Sequence, residues 1–227
     1  MQTIKSTPEK IVIKEVVSES LANAIRRFIG EIPILAINEV EIFKNDSALY
    51  DETLAHRMGL VPLKMDKHFE KKGKANLKLL SRKEGYIYSG EMKGEADVVY
   101  DKIPLLYLNK NQEVEVACYA SLGKGKEHAK FSPGFMTYRH VAKFSASKES
   151  EDNIKDLPLE LADVESVYLS DHFGEVVRKD GKEMRVEPSD EIIITVESFG
   201  QLPPKEIILR SIEELKKSLN EVEKSIK

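Results

Sequence analysis

EIIITVESFGQLPPKEIILRSIEELKKSLNEVEKSI, residues Glu191–Ile226, carries two patterns with a break between them. Glu191 to Glu197 is rich in β-branched residues and reads as a strand buried on both faces. Gly200 and Pro203-Pro204 interrupt it. Pro204 suits a first helical position, where its missing N–H would have had no partner. Beyond it, Ile208, Ile212, Leu215, Leu219, Val222 and Ile226 recur at alternating spacings of four and three. That is a heptad seam, and Lys216, Lys217, Glu221 and Glu223 fall off it. A narrow apolar seam on a single helix needs a second helix to cover it.

The other end of the chain offers one candidate cover. Ile11 and Ile13 point one way and Val12 and Lys14 the other, which is strand spacing. The period then becomes helical: Val17, Leu21, Ala24, Ile25 and Phe28 share a face. Ser18 is a fitting N-cap, and Gly30 with Pro33 ends the helix. Asn23, Arg26 and Arg27 lie on the other face or its edge. From Ile34 to Phe43 the strand pattern returns. Periodicity alone allows this helix, or the chain's own sheet, to cover the seam. The lengths do not match, however. The seam runs about 19 residues, roughly 28 Å, whereas the N-terminal helix has about a dozen residues, roughly 18 Å. The surplus apolar surface implies a helix from another chain.

Between the two ends the pattern is more broken. Asn45, Asp46 and Ser47 mark a turn, and Asp51 to Met58 reads as a short helix stopped by Gly59 and Pro62. From about 64 to 185 the strands are shorter and the loops lysine-rich. Val114, Val116, Cys118 and Ala120 alternate as a strand before the turn at Gly123 and Gly125. Lys148 to Asp163 is acidic and poor in glycine, and Asp180-Gly181 signals a hairpin. Helix-rich ends around a turn-rich middle suggest a discontinuous domain with an insertion.

Composition narrows the function classes. The 227 residues are 41% hydrophobic and 33% charged, with a formal net charge of -4, unlike the basic footprint of an autonomous DNA-binding domain. One cysteine, Cys118, makes no internal disulfide and cannot build a multi-cysteine zinc or iron–sulfur site; it reads as a small buried hydrophobe. There is no signal-peptide core and no stretch near the roughly twenty apolar residues of a spanning helix. The expectation is a cytoplasmic chain without a membrane role. His56, His68, His128, His140 and His172 are scattered and form no HExxH pair.

Several polar groups could carry chemistry. Asp51, Glu52, His56 and Arg57 can form an i, i+4 set on the short helix, read as an internal or interfacial network. Arg26 and Arg27 suit carboxylates or backbone carbonyls at an interface. Gly123 and Gly125 around Lys124 and Lys126 could cradle phosphate, but no Walker ending follows. Lys124, Lys126 and Lys130 read as a solvated or subunit-facing turn. An enzyme using His56 or His128 as base with Asp51 or Glu127 lacks any nucleophile elbow, metal box or phosphate loop. A nucleic-acid module is the alternative. It would centre on Lys124–Lys143, where Phe131, Phe135 and Tyr138 interleave with basic residues. Those aromatics fit a core equally well.

Three segments in order carry a family resemblance. Ser20–Leu63 contains Asn23–Arg27, Ile32-Pro33, Ala36-Ile37, Asp51-Glu52, Ala55-His56-Arg57, Gly59-Leu60 and Pro62-Leu63. The others are GKGKEHAKFSPG, Gly123–Gly134, and ITVESFGQLPPKEIILRSIEELKKSL, Ile194–Leu219. Together, over roughly 100 residues, they resemble the D-subunit family of archaeal RNA polymerases. Its relatives are the third-largest eukaryotic polymerase subunit and, more distantly, the bacterial alpha subunit. The resemblance implies an α+β fold: a discontinuous dimerisation domain from 1–45 and 188–227 around an inserted mostly-β domain, 46–187. It implies a non-catalytic assembly subunit that pairs with a smaller partner, subunit L. Leu21, Ala24, Ile25, Phe28, Ile208, Ile212, Leu215, Leu219 and Val222 would form the dimer interface. The pair would then recruit small subunits N and P and the two large catalytic subunits, with no sequence-specific DNA contact. Asn23, Arg26, Arg27, Asp51, Glu52, His56, Arg57, Lys124, His128 and Lys130 are the candidate subunit contacts. Some relatives hold a cysteine-bound iron–sulfur cluster in an insertion; here the corresponding region, about 145–187, is short and cysteine-free. Others hold zinc in the inserted domain, but Leu80–Lys102 has no cysteine. Neither metal centre is expected.

Overall fold

A computed structural model describes residues 2–146, 176–179 and 182–226. The acidic stretch 148–163 and most of the region 145–187 lie outside the described residues. In chain order the strands and helices begin with β1 (Gln2–Ser6), β2 (Lys10–Val16), α1 (Glu19–Phe28) and β3 (Pro33–Asn45). Next come α2 (Asp51–Gly59), α3 (Lys67–Lys72), β4 (Lys74–Ser81), β5 (Gly85–Tyr88), β6 (Lys93–Gly94) and β7 (Pro104–Leu108). Last are β8 (Val114–Lys124), β9 (Gly134–Ala146), β10 (Val176–Lys179), β11 (Lys182–Ser198) and α4 (Pro204–Ile226). Helices are interspersed with antiparallel sheets, an α+β arrangement.

The chain divides into two compact units, each built from two stretches. One is Met1–Ala24 with Met136–Val196; the other is Ile25–Phe135 with Glu197–Lys227. In the first unit, the sheet runs β1-β2-β11-β10, and β9 also pairs with β11. β2, near the start of the chain, thus lies beside β11, a strand from late in the chain. Lys179 pairs with Lys182 across β10 and β11, as the hairpin reading requires; residues 180–181 themselves are outside the described residues.

β11 corrects one expectation. Ile192, Val196 and Ser198 are buried and Ile194 on the same face is half-covered, while Glu191, Ile193, Thr195 and Glu197 on the other face are all half-covered. The strand has one core face, not two. A β-branched run suits any pleated, half-buried surface, so it signals strand geometry without specifying burial on both sides.

In the second unit, a sheet of order β3-β8-β4-β6 holds the core. The apolar run Ile34–Ile37 is buried on both faces of β3. On β4, Ala75, Leu77, Leu79 and Ser81 turn inward while the residues between them stand in solvent, the clean alternation of a one-sided sheet. On β8, Val114, Val116, Cys118 and Ala120 join them; burial pushes the Cys118 thiol up to about 12. Leu54 and Met58, four apart on α2, are fully buried as that helix packs on β3. Asn45 organises the approach to α2: its amide donates to Leu49 O at 2.9 Å and Asp51 Oδ1 at 2.8 Å, and its Oδ1 accepts from Ser47 N at 3.1 Å. That is the turn read from Asn45-Asp46-Ser47. β5 and β7 pair as a separate two-stranded ribbon.

Candidate subunit interface

α4 shows two stripes. It starts at Pro204, with Glu206 N and Ile207 N both donating to Pro203 O, at 2.9 and 3.1 Å. Its core stripe is Pro204, Ile207 and Ser211, and the helix packs on the 3-10 turn Ile29–Glu31 that follows α1. Arg210 anchors the helix to α3 by bonding Glu206 and Glu70. The heptad seam runs along a different line. Ile208, Ile212 and Leu215 are half-covered, but Leu219, Val222 and Ile226 stand 60, 54 and 80% exposed. The helix outruns the core formed by the described residues. At 23 residues it extends roughly 34 Å, and the apolar side chains of its last two turns face solvent.

α1 is capped as its sequence suggests: Ser18 Oγ accepts from Leu21 N at 3.3 Å. The residues it and the following turn bury are Ala22 and Ile29. Leu21 is 45% exposed, and Ala24, Ile25 and Phe28 are half-covered, so the face marked by periodicity is mostly not the face used within this chain. Arg26 and Arg27 are exposed and Asn23 is half-covered.

On α2, Asp51, Glu52, His56 and Arg57 all face solvent. The expected network is only partly formed: Asp51 accepts from Asn45, and Arg57 donates to Leu105 O on β7 at 3.0 Å. The side chains of Glu52 and His56 are presented outward without a hydrogen bond or ion pair among the described residues.

The GKGKEHAKFSPG segment forms an internal clasp. Lys124 and Lys126 hold Glu31 from both sides, Nζ to carboxylate oxygens at 3.0 and 2.9 Å. Those two bonds, Lys126 first, keep the Glu31 carboxyl below the usual carboxylate range, and Glu31 in turn raises Lys124. Lys126 N donates to Gly30 O at 3.1 Å. Lys130 reaches β3, donating to Ile37 O at 3.1 Å and Asn38 Oδ1 at 3.0 Å, and desolvation lowers its pKa. His128 Nδ1 accepts from Lys130 N at 3.1 Å, capping a 3-10 turn. A Cβ on Gly123 would come within 2.6 Å of the Phe131 ring, and one on Gly125 within 3.2 Å of Gly30 Cα. Both glycines therefore serve close approach. Lys126 stays largely in solvent and Lys124 is half-covered, yet both tie down Glu31 in the turn that α4 packs on, while Lys130 ties the segment to β3.

Neither His56 nor His128 forms an ion pair with an acid among the described residues, and no three His, Cys, Asp or Glu there gather as a metal site. No helix among them is long and apolar enough to cross a membrane.

The chain is similar to known proteins over most of its length. The RNA polymerase Rpb3/RpoA insert domain family matches residues 40–137. The DNA-directed RNA polymerase subunit Rpo3 of Pyrococcus horikoshii is 34% identical over 238 residues, covering 92% of this chain and 90% of the relative. That of Thermococcus kodakarensis is 36% identical over 213 residues, covering 82% of each. That of Halobacterium salinarum is 30% identical over 222 residues, covering 92% and 90%. With an insert domain over its middle and relatives aligned along nearly its whole length, the chain belongs to the Rpo3 family of DNA-directed RNA polymerase subunits.

Proposed function

We propose that the chain is a non-catalytic assembly subunit of an archaeal RNA polymerase, acting in the cytoplasm by pairing with the small subunit L. The observation that carries this reading is the row Leu219, Val222 and Ile226, exposed among the described residues on a helix whose buried side chains, Pro204, Ile207 and Ser211, lie toward its start. Exposed apolar side chains in helical register fit a partner helix laid along them. Ile208, Ile212 and Leu215 continue that row, and Leu21, Ala24, Ile25 and Phe28 on α1 supply a second apolar face for the same partner. The pair then recruits small subunits N and P and the two large catalytic subunits. Asn23, Arg26, Arg27, Asp51, Glu52, His56 and Arg57 are the polar contacts offered to those neighbours. Lys124 acts one step back, by holding Glu31 in the turn beneath α4, while Lys130 ties its segment to β3 and His128 caps the 3-10 turn Ala129–Phe131. The chain works without an iron–sulfur cluster or zinc.

Reconstitution by omission tests the proposal. Purified large and small subunits are mixed with and without this chain, and assembly is followed by sedimentation and by templated RNA synthesis. The expected result is no stable large-subunit complex in its absence. An active polymerase assembled without it would overturn the assembly role.

A further inference from the structure

The β5–β7 ribbon presents an aromatic face that the polymerase reading leaves without a role. Ile87, Leu106 and Leu108 are buried on its inner side. Tyr86, Tyr88 and Tyr107 project outward, 57, 39 and 46% exposed, with exposed Pro104 beside Tyr88 in register. Tyr86 and Tyr107 are cross-strand partners whose ring centroids lie 5.1 Å apart, edge to face at 80°; Tyr88 follows at 6.2 Å from Tyr86. Aromatic side chains left in solvent as a cluster mark an interaction surface, because they supply large contact area at little entropic cost.

We propose that this face docks a short, extended polypeptide segment with acidic residues flanking an apolar or proline-containing centre. Three observations fix that occupant. The ribbon is small: two strands of four and five residues, roughly 13–17 Å long and about 4.8 Å apart, present an area on the order of 100–200 Å², far short of the roughly 800 Å² per side that a stable globular interface buries. A linear segment fits it and a folded domain does not. Cations stand at both ends, Lys83 and Lys110 beside the Gly85–Leu108 pair and Lys102 beyond Pro104, all exposed. They outnumber the exposed acids Glu84 and Asp101 there, against the chain's overall charge of -4. The edge-to-face rings also cover part of each other's stacking surface, which suits a peptide better than bases needing open ring faces.

Fluorescence anisotropy on the 227-residue chain tests the proposal. The probe is a fluorescein-labelled octapeptide with two glutamates at each end of a Pro-Leu-Pro-Val centre. The expected result is saturable binding, weakened about tenfold or more by Tyr86→Ala with Tyr107→Ala. Lys83→Glu with Lys102→Glu, which leaves the rings intact, should weaken it severalfold, and a lysine-ended peptide with the same centre should not bind. Circular dichroism confirms that each variant is folded. Absent binding to the wild-type chain, or binding unchanged in both variants, overturns the proposal. So does tighter binding of a twenty-nucleotide oligothymidine that the tyrosine changes abolish, which would make the face a nucleic-acid surface.

Discussion

The Phe131 ring occupies the space where a side chain on Gly123 would stand. A Cβ built there meets three ring atoms at 2.6 to 2.7 Å. Phe131 is buried, so its ring has no free path outward, and β8 is pinned by its pairing with both β3 and β4. Gly123→Ala should therefore destabilise the chain by about 1–3 kcal/mol, the usual range for forcing extra volume into packed space. Urea unfolding followed by circular dichroism measures it. A change below a few tenths of a kcal/mol would mean that the clasp tolerates displacement.

A second prediction concerns pH. His140 bonds Glu19 at the start of α1 through Nε2 and Ser189 O through Nδ1, the latter at 2.8 Å. The Glu19 bond, then the Ser189 carbonyl, raise its pKa. A raised folded-state pKa gives stability that is complete below the ordinary histidine range and is lost as pH climbs through the raised value. Thermal melts should show wild type exceeding His140→Gln by more at about pH 5.5 than at about pH 8.5. An equal gap at both ends would show that the bond does not depend on the imidazolium.

Cys118 gives a third. Fully buried on β8 with its thiol pushed up to about 12, it should stay unreactive toward a disulfide reagent in the native chain and react at once in denaturant. Rapid native labelling would contradict the core of the second unit. Elemental analysis of the same preparation should find neither iron nor zinc at about one atom per chain.

Elements written in local pattern were readable from sequence: the Ser18 cap, the Asn45-Asp46-Ser47 turn, the helix from Asp51, the Pro204 start and the seam beyond it. α3 was not. Its signals are present, since Asp66 caps it by accepting from His68 N and Phe69 N and it ends at Gly73 with φ 72°. But six residues with one buried side chain, Phe69, give no period to detect. The clasp was hidden for another reason. Lys124 and Lys130 find Glu31 and Ile37 across 93 residues of chain, and only the pairing of β3 with β8 brings them together. The Tyr86–Tyr107 pair depends likewise on strand register, so spacing along the chain could not disclose it.

The most direct test of the seam as an interface uses a change that spares the chain itself. Leu219 and Val222 are exposed, so Leu219→Asp with Val222→Asp should leave unfolding of the chain within about 0.5 kcal/mol of wild type. In a complex that buries the seam, the same carboxylates would be unpaired. Calorimetric titration with purified subunit L should then show affinity falling about a hundredfold or more, several kcal/mol. Unchanged affinity in the folded double variant would contradict the claim that this helix is where the partner sits.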